Sequence, residues 1–352
     1  MPAEYEPGPS PPRPLRIAVL GTAHPHLTDH LRALAGRAEV VSVLPGRYPG
    51  RYPAKSPGPY PAKDPAPYPG RHPGEPALPA ALAGVRVAAD PAAAVARADA
   101  ALVCSTTAEH AELLAAAGAA GLPVLVEKPL AAGATETAAL ARAGAATGSG
   151  PTVAMFLRCA PVLRRARELL RDRRLGQLVA ADAWFTHPGF VDGLFADLAW
   201  MLEPSWGGGS AFADLGIHLV DLLRWLRPTA RIRVRAASLR PLPGRRPGDI
   251  GGTALVEWGS VPVALHAGWV SRPGGVRLRL EGTCGTLQVQ GDELTFAGST
   301  GVLTERHPAP AAGDVMTAFL ASLAGETVWQ PPSTADMVGC ARVLDSVARH
   351  AA

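Results

Sequence analysis

The chain has 352 residues, 47% of them apolar and 18% charged, with a net charge of +4 from 34 basic and 30 acidic residues. That composition excludes a disordered chain and leaves room for two domains, each with its own core. The arginines are scattered without a basic block and no apolar run reaches the about 18 residues of a membrane span, so neither nucleic acid nor membrane is an expected partner.

Residues 1–14 are a Pro-rich tail, expected to be disordered, with no apolar stretch of the kind a signal peptide carries. Cys104, Cys159, Cys284 and Cys340 form no C-x-x-C pair, which suits a reducing cytoplasm and argues against a zinc ribbon. Arg16-Ile17-Ala18-Val19-Leu20 reads as a buried strand ending at Gly21. A dinucleotide turn reads G-x-G-x-x-G, but here Ala23 and His26 stand at the second and third glycine positions. A helix is expected from about Pro25 to Gly36, and its N-terminus can still offer N–H groups to a phosphate, with His24 or His26 adding a hydrogen bond. His24, His26 and His30 have no carboxylate cluster at matching spacing, so no metal site is assigned.

A second strand, Val40 to Leu44, ends in Pro45-Gly46-Arg47, without the acid that holds an adenine ribose. Arg47 or Arg51 suits a 2′-phosphate, so the cofactor expectation leans from NAD to NADP. From Arg47 to Pro79 runs an insertion with an eight-residue Tyr-Pro repeat starting at Tyr52, Tyr60 and Tyr68. Prolines this dense allow neither helix nor strand, so the segment is read as a solvated insertion or a flap over the nucleotide. Strand–helix alternation then resumes: strands at 85–87, 100–104, 124–126 and 152–156, helices at 91–97, 108–120 and 134–146. This rhythm predicts a doubly wound parallel sheet over 15–157.

From 158 to 352 the rhythm changes. A helix at 160–171 and a strand at 177–185 precede a long loop and a helix at 211–226. Strands at 231–239, 252–258, 261–270, 275–281, 285–290 and 293–297 follow, then helices at 313–324 and 333–350. This half predicts an α+β domain with an open, mainly antiparallel sheet.

Two motifs carry chemistry. Glu127-Lys128-Pro129 ends a parallel strand, where ligands of open α/β sheets bind and where a cis proline would fix the turn. In Trp206-Gly-Gly-Gly-Ser-Ala-Phe-Ala-Asp214-Leu-Gly-Ile-His218-Leu-Val-Asp221, Asp214 and His218 are four apart on one helix. A carboxylate beside an imidazole would orient the ring and support its protonated form, as a general acid–base requires. Trp184, Trp200 and Trp206 are placed to flank a substrate.

These motifs, in this order, resemble the Gfo/Idh/MocA family of oxidoreductases. The loop Cys104-Ser105-Thr106-Thr107-Ala108-Glu109-His110 stands where that family has A-T-P-N-x-x-H and matches at His110. The resemblance implies an NAD(P)-dependent dehydrogenase of a sugar, inositol or related polyol. It makes Lys128 the residue that meets substrate and nicotinamide ribose, His218 the general acid–base and Asp214 its carboxylate partner. Gly21, Thr22, Ala23, His24, His26, Arg47, Ser105, Thr106, His110, Glu127 and Lys128 are the implied cofactor contacts. It also implies a homo-oligomer joined through the open sheet face. Two alternatives stay open: a lyase-type member that uses the cofactor transiently, and a non-catalytic binding protein whose nucleotide site has decayed.

Overall fold

The computed structural model describes residues 13–47, 78–146, 150–196, 198–244 and 248–351. The Tyr-Pro repeat and the tail to residue 12 lie outside the described residues. The first sheet comprises β1 (Leu15–Leu20), β2 (Ala38–Leu44), β3 (Ala100–Val103), β4 (Val124–Val126) and β5 (Thr152–Val153), all parallel in the order β2-β1-β3-β4-β5. Helices α1 (Leu27–Leu34), α2 (Pro91–Val95), α3 (His110–Ala119) and α4 (Ala134–Ala146) connect them. Ile17, Ala18, Val19 and Leu20 of β1 and all of β3 are buried, as strands covered on both faces must be.

The strand expected at 85–87 is reduced to one parallel bridge, Val87 to Val43. Val87 is 56% exposed, so no burial of its side chain rewards a longer ladder. The bridge marks the place of the third strand in a 3-2-1-4-5-6 sheet, whose crevice for a dinucleotide lies where the order reverses beside β1. The strand expected at 152–156 stops at Val153 and gives way to a 3-10 turn, Phe156–Arg158.

The second sheet has eight strands: β6 (Leu178–Thr186), β7 (Ile232–Pro241), β8 (Asp249–Trp258), β9 (Val261–Gly268), β10 (Gly275–Gly282), β11 (Gly285–Gln290), β12 (Glu293–Gly298) and β13 (Gly301–Arg306). Their order is β13-β12-β11-β10-β6-β9-β8-β7, and only the β6–β9 pair is parallel. Strand β13 escaped the sequence reading because almost every residue of it is exposed, leaving no apolar alternation to detect. Helices α5 (Pro161–Arg171), α6 (Ala211–Leu226), α7 (Asp314–Leu323) and α8 (Thr334–Ala351) complete the chain.

Helix α6 is the pivot of this half. It packs on β6, β8 and β9 and is covered by α8, so most of its surface is buried. Its start is fixed by Ser210, whose hydroxyl accepts the Ala213 N–H at 2.9 Å, and by Asp249, which accepts the Phe212 N–H at 2.9 Å. Farther along, Asp221 takes a bidentate pair from Arg158 at 2.8 and 2.6 Å, both side chains buried. That pair ties α6 to the segment that follows β5, where the chain passes from the first half to the second.

Candidate active site

The turn after β1 is pinned from both sides. Gly21 and Thr22 donate backbone N–H groups to Leu44 and Pro45 at 2.7 and 3.0 Å, and the His24 N–H reaches the Cys104 carbonyl at 3.0 Å. Gly21 has φ +85° and lies against Ser105, where a Cβ would sit 2.3 Å from that residue's Cβ. Gly21→Ala is therefore expected to cost about 2 kcal/mol or more and to weaken any ligand held by the turn, as urea unfolding and dinucleotide titration would report.

Lys128 lies two residues beyond β4 and is joined to Pro129 by a cis peptide bond. Its ammonium bonds the carboxylate of Asp214, and also reaches the Asp214 carbonyl at 3.2 Å. The other Asp214 oxygen accepts the Trp269 indole N–H at 2.8 Å. Burial pushes the Asp214 carboxyl up, but the Lys128 charge and these hydrogen bonds outweigh it and leave its pKa at about 2.

The expected pairing of Asp214 with His218 is thus corrected. Both carboxylate oxygens are taken by Lys128 and Trp269, and His218 Nδ1 has no hydrogen-bond partner among the described residues. The His218 ring packs edge-on to Phe156 and Phe185, at centroid distances of 5.0 and 5.4 Å. Burial first, and then the Lys128 charge, hold its pKa well below the usual histidine value, outweighing the Asp214 charge. The imidazole is kept neutral, where the sequence reading had it supported in its protonated form.

Glu127 is fully buried and gathers the histidines of the turn. Its Oε1 lies 3.1 Å from His26 Nδ1 and 2.7 Å from His30 Nε2, and its Oε2 lies 3.5 Å from His24 Nε2 and accepts the Lys128 N–H at 3.1 Å. The other His24 ring nitrogen accepts the His26 N–H at 3.3 Å, so His24 is engaged inside the turn while His26 remains partly exposed.

The Ser105–Thr107 segment leaves β3 beside Gly21. The Ser105 hydroxyl donates to the Thr106 carbonyl at 2.9 Å, and the Thr106 hydroxyl bonds Glu109 at 2.8 Å. His110 Nδ1 bonds the Leu130 carbonyl at 3.2 Å. Thr107 Oγ1 and His110 Nε2 are buried with no hydrogen-bond partner among the described residues. At the tip of β2, the Arg47 N–H donates to Glu109 at 2.7 Å and its exposed guanidinium bonds Glu112 at 2.5 Å. A dinucleotide fits this crevice: an orphaned hydroxyl lies on its loop, Gly21 permits close backbone approach, and Lys128 lines the adjoining space.

That space is a cavity of about 730 Å³, walled by Lys128, Asp214, Trp200, Phe212 and Trp269, with Met337 and Leu344 of α8 at its apolar end. Trp200 donates its indole N–H to the Ala23 carbonyl at 3.0 Å, and Gly207 approaches Thr107 so closely that a Cβ would lie 2.5 Å from it. The second half of the chain therefore rests directly on the turn after β1 and on the loop after β3. Trp184 is elsewhere: it is half-exposed on the open sheet face, stacked on His266 at 3.9 Å. Trp269, which the sequence reading passed over, holds Asp214 instead.

A parallel dinucleotide-type sheet, with a lysine at a strand end facing an acid and a histidine on the next domain's helix, defines an oxidoreductase scaffold of two domains. The Gfo/Idh/MocA model described as an oxidoreductase family with an NAD-binding Rossmann fold matches residues 70–154, and the family's C-terminal domain model matches 163–288. The two matches span more than half of the chain, which belongs to this family. Levoglucosan dehydrogenase of Pseudarthrobacter phenanthrenivorans is 27% identical over 117 residues, 33% of this chain and 30% of that protein. Among solved structures, an inositol dehydrogenase homolog of Azotobacter vinelandii with NAD+ superposes with a TM-score of 0.76 at 20% identity, covering 96% of this chain and 95% of that one. A levoglucosan dehydrogenase complex with NADH and levoglucosan gives 0.75 at 18% identity, covering 96% and 97%. A 3-ketoreductase of Actinomadura kijaniata with NADP and TDP-benzene gives 0.71 at 21%, covering 96% and 98%. Among the described residues, no helix is long and apolar enough to cross a membrane.

Proposed function

We propose that the protein transfers a hydride between NAD(P) and a carbinol or carbonyl carbon of a sugar, inositol or related polyol. The observation that carries this reading is the Lys128–Asp214 pair at the end of β4, with His218 one helical turn beyond Asp214. Bound NAD(P) supplies the hydride acceptor or donor at its nicotinamide ring. In the oxidative direction His218, held neutral, accepts the hydroxyl proton as the carbinol carbon gives up its hydride. Lys128 stabilises the charge that develops on the oxygen, and Asp214 keeps the ammonium aimed into the cavity. In the reductive direction the same proton returns from His218 to the alkoxide.

The exposed Arg47 guanidinium beside Gly46 supports NADP as the preferred form, since a 2′-phosphate can replace Glu112 as its partner. The open sheet face, with exposed Val179, Trp184 and Leu255, supports assembly into a homo-oligomer.

The test is a fluorescence titration of the folded protein with NADPH and NADH, followed by a screen of polyols and sugars for nicotinamide reduction. Micromolar binding, tighter for NADPH, with turnover of a polyol is the expected result. Binding of neither form would overturn the proposal in favour of a non-catalytic scaffold.

A further inference from the structure

The turn after β1 carries His24 and His26, the latter where a dinucleotide turn has its third glycine, His30 follows in α1, and the hydride chemistry does not use the three as a group. All three rings converge on Glu127, a carboxylate with no solvent exposure. From this convergence we propose that His24, His26 and Glu127 bind one divalent transition-metal ion, of the class that imidazole and carboxylate ligands select, such as zinc or cobalt.

The spacing fits an ion. His24 Nε2 lies 3.5 Å from Glu127 Oε2 and His26 Nδ1 lies 3.1 Å from Oε1, so the carboxylate turns one oxygen to each ring, and one ligand atom from each of the three residues lies within 4.8 Å of the others. Two donors each about 2.1 Å from a tetrahedral ion are about 3.4 Å apart, close to each of these nitrogen–oxygen separations. The remaining neighbours have the arrangement of an outer shell: His30 Nε2 at 2.7 Å and the Lys128 N–H at 3.1 Å hold the carboxylate in place. Coordination through His24 Nε2 puts that ring's proton on Nδ1, so the long 3.3 Å contact from the His26 N–H must give way.

A second trio, His30, Cys104 and Glu127, has ligand atoms equally close. It is sealed on all sides, and burial pushes the Cys104 thiol well above its usual range, away from the thiolate a metal requires. The His24 side opens to the crevice through His26, whose ring is 26% exposed and gives the ion an entry path. Three protein donors leave a fourth position for water or another oxygen ligand.

The experiment uses the full chain, stripped with EDTA and titrated with cobalt(II) alone, reading visible ligand-field absorption and the metal retained after desalting. One equivalent per chain with a tetrahedral-type spectrum is expected, together with a rise in Tm on adding zinc. His26→Asn, at the exposed edge of the trio, keeps the fold and should lower cobalt affinity at least about tenfold. His24→Asn should abolish the spectrum. Folded wild-type protein that retains no cobalt would overturn the proposal and leave a hydrogen-bonded carboxylate cage. Equal binding by wild type and His26→Asn would overturn it too, by placing the ion elsewhere.

Discussion

Lys128→Met is expected to lower kcat at least about 100-fold, the usual cost of removing one donor to a developing oxyanion. The same change should lower stability by about 3 kcal/mol. The reason lies in Asp214, which is mostly buried and, among the described residues, has no other cation bonded to it: removing the ammonium leaves an ionised carboxylate with only the Trp269 indole as side-chain partner. Lys128→Met with Asp214→Asn should recover most of the stability, because the charge that lost its partner is then gone, yet recover none of the turnover. Urea unfolding and steady-state kinetics on the two variants separate the roles. A single variant as stable as the wild type would show that the ion pair is not what holds the Asp214 carboxylate ionised.

The pH dependence gives an independent check. The folded Asp214 pKa is lowered to about 2, against 3.8 for a free side chain. The stabilisation from this group is therefore complete above pH 4 and is lost as pH falls toward 2. In Lys128→Met the pKa difference shrinks or reverses, so stability should decline less steeply over that window.

How much of this was legible beforehand depends on the range of the interactions. Helix α6 runs over 211–226 as expected, because an apolar stripe is a local signal, while the Ser210 cap that starts it appears only in the structure. The parallel sheet was legible for the same reason: short buried strands alternate with helices, and Gly21 ends the first. What Asp214 touches was not legible. Helical spacing placed it on the same face as His218, but its partners are 86 and 55 residues away, at Lys128 and Trp269. The histidine cluster was equally hidden, since the carboxylate that gathers it lies 101 residues from His26 and 97 from His30. Trp184 and Phe185 show the limit for strands: period two sends neighbours to opposite faces, and only packing shows that Phe185 faces His218 while Trp184 faces outward.

His218→Gln is expected to lower kcat/KM by about 100- to 10,000-fold, the range for loss of a positioned acid–base, while dinucleotide affinity stays unchanged. Glutamine fills most of the space between Phe156 and Phe185 but cannot carry the proton. The pH profile identifies the residue more sharply than the rate. An unperturbed histidine base loses activity below about pH 6.5. Burial and the Lys128 charge depress the His218 pKa, so the neutral base survives to lower pH and the oxidative rate should stay level through pH 6 before falling. Stability cannot stand in for this measurement. His24, His110 and His187 are depressed in the same direction, chiefly by burial, and each loses its contribution as pH falls through its folded pKa. Only the kinetic limb belongs to the group that moves the substrate proton. In His218→Gln that limb should vanish from the residual activity; an acid limb that persisted unchanged would assign the proton transfer to another residue, with partly buried His187, which feels the Asp214 charge, first in line.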